Sequence, residues 1–327
     1  MLVKDFHDRI WWPDCERRLR ECTLVGYRGA WEASIERTWG SWNLEDIKPS
    51  DIEDWLRNGF SKPTGGANAF TTLRAMCSYA VKMEILDKSP CKLVRTPWSD
   101  KKKVKKPQPV LDKDQIRELI DGLRGSCVEP FVICTLTLGL RKEEGCALEW
   151  SDINLKTGEV SITKGAQWVN GREVINPPKT KNSYRVLFLP EFALLRMREI
   201  HAELVDAGEL HPRITFDMNP NQVTFNYQRE IRERNLPYVP PKNLRHSWAT
   251  CALRAGVPIS TVSKHLGHYD ISVTANHYIV ACEQDFRNAQ KVFQKEVVPD
   301  AITSVSADEI GRMSFSQRLK LLFKGEV

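Results

Sequence analysis

The sequence predicts a mainly α protein with a small antiparallel β-sheet, divided into two domains. Three observations carry that prediction. Apolar residues recur at helical spacing over residues 1 to about 98, and again from residue 111 onward. Strand-like alternation and hairpin turn signals are confined to the stretch between Trp150 and Pro190. Between the two helical regions, Ser99–Val110 reads SDKKKVKKPQPV, five lysines in six positions followed by two prolines. Like charge at that density resists packing, and proline keeps helices from entering, so this segment is a linker. A length of 327 residues is enough for two cores.

In the N-terminal region Trp31, Ile35 and Trp39 form one apolar face, Ile52, Trp55 and Leu56 a second, and Leu73, Met76, Tyr79 and Ala80 a third. Six tryptophans lie between Trp11 and Trp55. Trp11 and Trp12 fall outside the periodicity, so they either stack on a neighbour or staple the terminus. Lys62, Lys82, Lys88, Lys92 and Arg95 are either solvated charges or phosphate contacts.

Beyond the linker, Asp112 with Gln115 three residues later is a capping box, followed by the stripe Ile116, Leu119, Ile120 and Leu123. Val128–Leu138 is nearly all apolar and reads as a buried helix ended by Gly139. A helix over Arg141–Trp150 puts Glu144 one turn from Arg141, where its carboxylate can fix the guanidinium. Two short strands are expected around Lys156–Gly158, a hairpin turns at Asn170–Gly171, and Tyr184–Pro190 alternates as a strand. Helices follow over Pro190–Ala207, Gln222–Arg234 and Leu244–Ala255, the last stopped by Gly256. Arg229, Arg232 and Arg234 make a cluster that faces either solvent or a polyanion. Pro258 opens another helix, Gly267 ends it, and Asp270 caps a short one carrying Ile271, Thr274 and Tyr278.

Composition narrows the function classes. Lys and Arg number 48 against 42 Asp and Glu, a net charge of +6 that suits a polyanionic partner without requiring one. The nine cysteines are scattered, odd in number and without a Cys-x-x-Cys pair, which points to reduced thiols and away from a zinc site or a disulfide framework. No run approaches the roughly twenty apolar residues of a membrane span. The start, MLVKDFHDRIWWPD, is charged where a signal peptide is apolar, so a soluble, cytoplasmic protein is expected. No Gly-rich phosphate loop and no acidic cluster appears, so neither a nucleotide cofactor nor a metal is expected.

Four phrases carry chemistry: GLRKEE at 139–144, PKT at 178–180, LRHSWAT at 244–250 and LGHYDISVTANHY at 266–278. Their order of Arg, Lys, Arg, His and Tyr resembles the tyrosine recombinase family of phage integrases and Xer-type recombinases, over roughly residues 20 to 285. The resemblance implies a helical core-binding domain over 1–98, a basic linker over 99–110, an α+β catalytic domain over 111–295 and a tail over 296–327. It implies Tyr278 as nucleophile, Arg141 and Arg245 as phosphate clamps, His268 as a donor to a phosphate oxygen, and Lys179 as general acid, with Lys181 the alternative. Glu144 then orients Arg141. Where the family usually has histidine, this chain has Lys242, a poor proton acceptor at neutral pH, and His246 is a candidate substitute.

The same resemblance implies double-stranded DNA as partner and no cofactor. A homotetramer on two DNA sites, with a monomer as the alternative state in solution, and an accessory DNA-bending or directionality factor are further expectations. Lys101, Lys102, Lys103, Lys105 and Lys106 of the linker, with Lys62, Lys82, Arg229 and Arg232, are the candidate DNA contacts. The expected function is a site-specific recombinase, the integrase of a phage or mobile element, acting through a 3′-phosphotyrosyl intermediate. An Xer-type resolvase and a catalytically silent DNA-binding homologue are the alternatives.

Overall fold

The computed structural model describes residues 1–98, 108–178, 183–268 and 270–278. These separate into two compact units: one from Met1–Pro109, Ala166–Asn176 and Met218–Gln222, the other from Val110–Gly165, Pro177–Asp217 and Val223 onward. The linker lysines 101–103, 105 and 106 lie outside the described residues.

In the first unit residues 1–98 are mainly helical, and Ala166–Asn176 adds a β-hairpin. Helix α1 (Val3–Phe6) runs through a π-turn at His7–Trp11 into α2 (Trp12–Arg18). After α3 (Glu21–Ala30) a second π-turn, Trp31–Ile35, leads into α4 (Glu36–Trp39). Helices α5 (Pro49–Asn58) and α6 (Pro63–Lys82) each begin on proline, whose fixed φ suits a first helical position and whose missing N–H is no loss there. Phe6, Trp11, Trp31, Ile35, Trp39, Ile52, Trp55, Leu73 and Met76 form the core. His7 stacks on Trp31, ring centroids 3.7 Å apart, and Trp11 stacks on Tyr27. Trp11 is therefore buried, and it stacks on a neighbour. Lys62 and Lys82 are exposed at the two ends of α6, Lys82 lying 6.0 Å from the centre of the Tyr79 ring.

In the second unit Asp112 caps α7 (Lys113–Gly122), accepting from the Asp114 and Gln115 N–H groups, while the Gln115 side chain accepts from Asp112 N–H. Helix α8 (Glu129–Thr137) is buried on all sides through Leu136, among α9 (Lys142–Ala147), α10 (Glu191–Ala207) and α12 (Pro241–Arg254). The expected helix over Arg141–Trp150 is shorter: it ends at Ala147, and Trp150–Asp152 forms a separate 3-10 turn. Arg141 stands outside the helix as its N-cap.

Strand β1 (Glu159–Ile162), a hairpin of β2 (Gly165–Val169) and β3 (Arg172–Asn176), and β4 (Arg185–Phe188) follow α9. The hairpin turns at Asn170 (φ +50°) and Gly171 (φ +75°), the left-handed pair that a two-residue turn needs. Among the described residues β1 pairs antiparallel with β4, as the expected small antiparallel sheet, and β2 pairs with β3. The first of the two strands expected around Lys156–Gly158 is reduced to one bridge, Ile153 to Val160, because the Asn154 side chain draws the N–H groups of Lys156 and Thr157 into a turn.

Helix α11 (Pro220–Glu233) precedes α12, and α13 (Ile259–Leu266) and α14 (Ile271–Tyr278) close the described chain. Glycine sets both stops that matter for the site. Gly139 after α8 has φ +61° and Gly267 after α13 has φ +67°. A Cβ on Gly139 would also lie 2.9 Å from the Trp248 ring and 3.1 Å from Leu266. Gly139→Ala is therefore expected to cost on the order of 2 kcal/mol in chemical denaturation, whereas Gly208→Ala, at a similar φ but with open space around it, gives the backbone contribution alone.

Candidate active site

The site begins where two helices end. The last carbonyls of a helix lack partners and carry the negative end of its dipole. Leu138 O and Gly139 O follow α8, and Leu266 O ends α13. Arg245, on α12 and only 5% exposed, donates through Nη1 to Gly139 O at 3.0 Å and through Nη2 to Leu266 O at 2.7 Å. His265 donates from Nε2 to Leu138 O at 3.0 Å and stacks on Trp248, ring centroids 3.9 Å apart. Burial pushes His265 down to about 4 against the pull of the Leu138 carbonyl, with the charges of Arg185 and Arg245 adding to the fall. A neutral imidazole thus caps α8, and His265 belongs to packing.

Glu144, in the first turn of α9, is the hub of the cluster. Its Oε2 accepts from the Arg141 backbone N–H at 2.9 Å, and its Oε1 takes the Arg141 Nη1 at 2.7 Å. Arg185 of β4 reaches the same carboxylate with Nη1 at 3.2 Å to Oε1 and Nη2 at 2.8 Å to Oε2. Arg245 Nη1 stands 4.0 Å from Oε2. Burial alone would raise the Glu144 pKa, but the Arg185 hydrogen bonds and charge, with Arg141 and Arg245, hold it down to about 2. Three guanidiniums around one carboxylate leave two positive charges in excess, the condition for receiving an anion.

His268 extends the cluster. Its Nε2 lies 2.8 Å from Arg245 Nη2, and its Nδ1 lies 2.8 Å from the buried Thr274 Oγ1 on α14. Asp270 accepts from Ser272 N–H at 2.8 Å and so caps α14, as its sequence position predicts. Tyr278 is the last described residue of α14.

A buried arginine held at two helix ends, a carboxylate shared among arginines and a histidine before a tyrosine-bearing helix form one arrangement, and residues 109–284 match the phage integrase family. The chain belongs to the phage integrase family. It is 26% identical to a XerC-like tyrosine recombinase of Caldanaerobacter subterraneus subsp. tengcongensis, over 83% of this chain and 77% of that one. It is 26% identical to the ICEBs1 integrase of Bacillus subtilis, over 72% and 67%. Among solved structures it is similar to the Tn1549 transposon integrase in complex with transposon right end DNA. That likeness has a TM-score of 0.72 at 16% identity, covering 90% of this chain and 99% of that one. It is also similar to a lambda integrase tetramer bound to a Holliday junction, with a TM-score of 0.60 at 18% identity, covering 86% and 80%. At these identities the likeness to solved structures is one of fold.

The structure brings together four of the residues singled out in the sequence: Arg141, Glu144, Arg245 and His268. Lys242 is exposed in the first turn of α12, and no hydrogen bond or ion pair among the described residues ties it to the cluster. Lys179 and Lys181 lie outside the described residues, while for Tyr278 and His277 only the place in α14 is described. The arginines in and just after α11 are partly committed: Arg234 donates to Gly122 O and Arg124 O and bonds Glu230, and Arg229 also bonds Glu230. Arg232 is exposed. Among the described residues no group of three or more His, Cys, Asp or Glu is arranged to hold a metal ion, and no helix is long and apolar enough to cross a membrane.

Arg185 and Thr274 are the members that sequence reasoning did not assign to the site. The available signal for Arg185 was an arginine inside an otherwise apolar strand, which implies a buried partner. Because Glu144 has a folded pKa of about 2 against an ordinary 4.5, its ionisation stabilises the fold above pH 4.5 and this contribution is lost as pH falls towards 2. Arg185→Met is expected to destabilise by about 3 kcal/mol in urea and to move the acid-unfolding midpoint upward. Glu144→Gln combined with Arg185→Met should lose less than the sum of the two single changes.

Proposed function

We propose that this chain is the integrase of a phage or other mobile element, a tyrosine-type recombinase that cuts and rejoins DNA through a covalent 3′-phosphotyrosyl link. The observation that supports it best is the joining of Arg141 and Arg245 through Glu144, with His268 on Arg245 and Tyr278 on the helix that His268 contacts.

The chemistry follows from charge. A phosphodiester is an anion that repels a nucleophile, and attack concentrates charge on its non-bridging oxygens. Arg141 and Arg245 supply fixed, forked donors for those oxygens, a geometry that lysine does not reproduce. The excess charge of the cluster favours the phenolate of Tyr278, whose ordinary pKa is near 10. The Tyr278 oxygen bonds to phosphorus, the bond to the 5′-oxygen breaks, and Lys179 protonates that leaving oxygen. His246 receives the phenol proton, since an ammonium such as that of Lys242 has donors only. Return attack by a 5′-hydroxyl of another strand restores the diester and frees the tyrosine. Phosphate bond energy is kept in the intermediate, so no nucleotide is consumed.

In this reading residues 1–98 and 111–295 are the core-binding and catalytic domains, and the basic linker between them follows the DNA backbone. Lys62, Lys82 and Arg232 add phosphate contacts, so affinity falls steeply with salt. A tetramer on two DNA sites, in the cytoplasm, is the working assembly, an arrangement that has its counterpart in the lambda integrase tetramer. The XerC-like relative favours a second reading, a cellular resolvase.

Nicked suicide duplexes from DNA flanking the gene test the proposal, without metal or ATP. Wild type is expected to form a denaturation-resistant protein–DNA adduct and Tyr278→Phe none. Arg141→Lys should slow adduct formation roughly a hundredfold with binding retained. Adducts on chromosomal resolution sites alone would favour the resolvase. Salt-sensitive binding to its site without any adduct would make the chain a silent DNA-binding homologue.

A further inference from the structure

The hydrogen bonds of His268 define which of its nitrogens carries the proton. A guanidinium has donors only and stays charged. The His268 Nε2, 2.8 Å from Arg245 Nη2, must therefore present its lone pair, and the ring proton sits on Nδ1, donated to Thr274 Oγ1 at 2.8 Å. Thr274 is wholly buried and lies four residues before Tyr278, one helical turn away.

We propose that Thr274 is a positioning residue, which locks His268 in the Nδ1–H tautomer and thereby ties the ring on Arg245 to the helix that bears the nucleophile. The consequence for reaction rests on the recombinase reading above. Of the two Nη2 hydrogens of Arg245, one is directed at Leu266 O and the other at His268 Nε2. The lone pair of His268 thus stands where a phosphate oxygen would accept. When the phosphate arrives it takes that Arg245 hydrogen, and its negative charge favours uptake of a solvent proton at Nε2. His268 then becomes an imidazolium, its Nδ1–H still on Thr274 and its new Nε2–H directed to phosphate. The charges that govern this step belong to Arg245 of α12, with Glu144 of α9 and Arg141 and Arg185 behind it. Without the Thr274 oxygen, Nδ1 loses its acceptor. The other tautomer would set N–H against N–H at Arg245, so the ring turns away.

The test has two arms. Long-range proton–nitrogen NMR on the full chain with nitrogen-15 histidine, free of DNA, reads the tautomer directly. Wild type is expected to give the Nδ1–H pattern for His268, identified by its loss in His268→Gln, and Thr274→Val a shift of that pattern. An Nε2–H pattern in wild type overturns the proposal. In the suicide-duplex assay, Thr274→Val, which keeps the side-chain shape, should lower the cleavage rate roughly tenfold to a hundredfold with DNA affinity within about twofold, and Thr274→Ser should restore it. Wild-type cleavage by the valine variant, or failure of serine to rescue, overturns the positioning role. No adduct from wild type overturns the recombinase reading and the catalytic consequence, while the NMR arm still decides the tautomer.

Discussion

The second unit depends on a carboxylate placed among arginines. Glu144 is almost completely buried, yet it stays ionised because Arg185 and Arg141 fill its oxygens and Arg245 stands at 4.0 Å. A buried ion pair of this kind is weak evidence for stability, since desolvation opposes the attraction. Its value here is geometric. One carboxylate fixes the rotamers of guanidiniums that come from the start of α9, from β4 and from α12, which no local interaction would hold together.

Backbone ends complete what Glu144 begins. Gly139 and Gly267 both take positive φ, and each stop leaves carbonyls directed at the same place. Arg245 answers both: two carbonyl acceptors at the negative ends of two helix dipoles hold it, with the Glu144 carboxylate 4.0 Å away. His265 covers the remaining carbonyl as a neutral ring. In the proposed recombinase reading this amounts to preorganisation, because the guanidiniums are already cationic and held in place before a phosphate arrives.

Much of this was legible in the sequence. Asp112, Gly139, Gly267 and Asp270 act on the N–H and C=O groups nearest them in the chain, so their caps and stops stand where the sequence places them. The Arg141–Glu144 pair is one turn long and equally local. The strand 184–190 was read only in part. Its residues are nearly all apolar, so alternation does not say which face turns inward. The structure buries Leu187 and Leu189 and leaves Tyr184, Val186 and Phe188 exposed, the register that brings Arg185 to Glu144.

By itself the sequence determined the caps and stops at Asp112, Gly139, Gly267 and Asp270, the presence of helices with a few short strands, and the order of the residues that mark the family. These rest on local hydrogen bonding and on hydrophobic period, which act over a few residues. Tertiary structure decided the rest: the partner of Arg185, 41 residues from Glu144, the pairing of Arg245 with His268 across 23, and through it the tautomer of that histidine. Those are contacts between side chains whose proximity is created by packing, and no local preference encodes them.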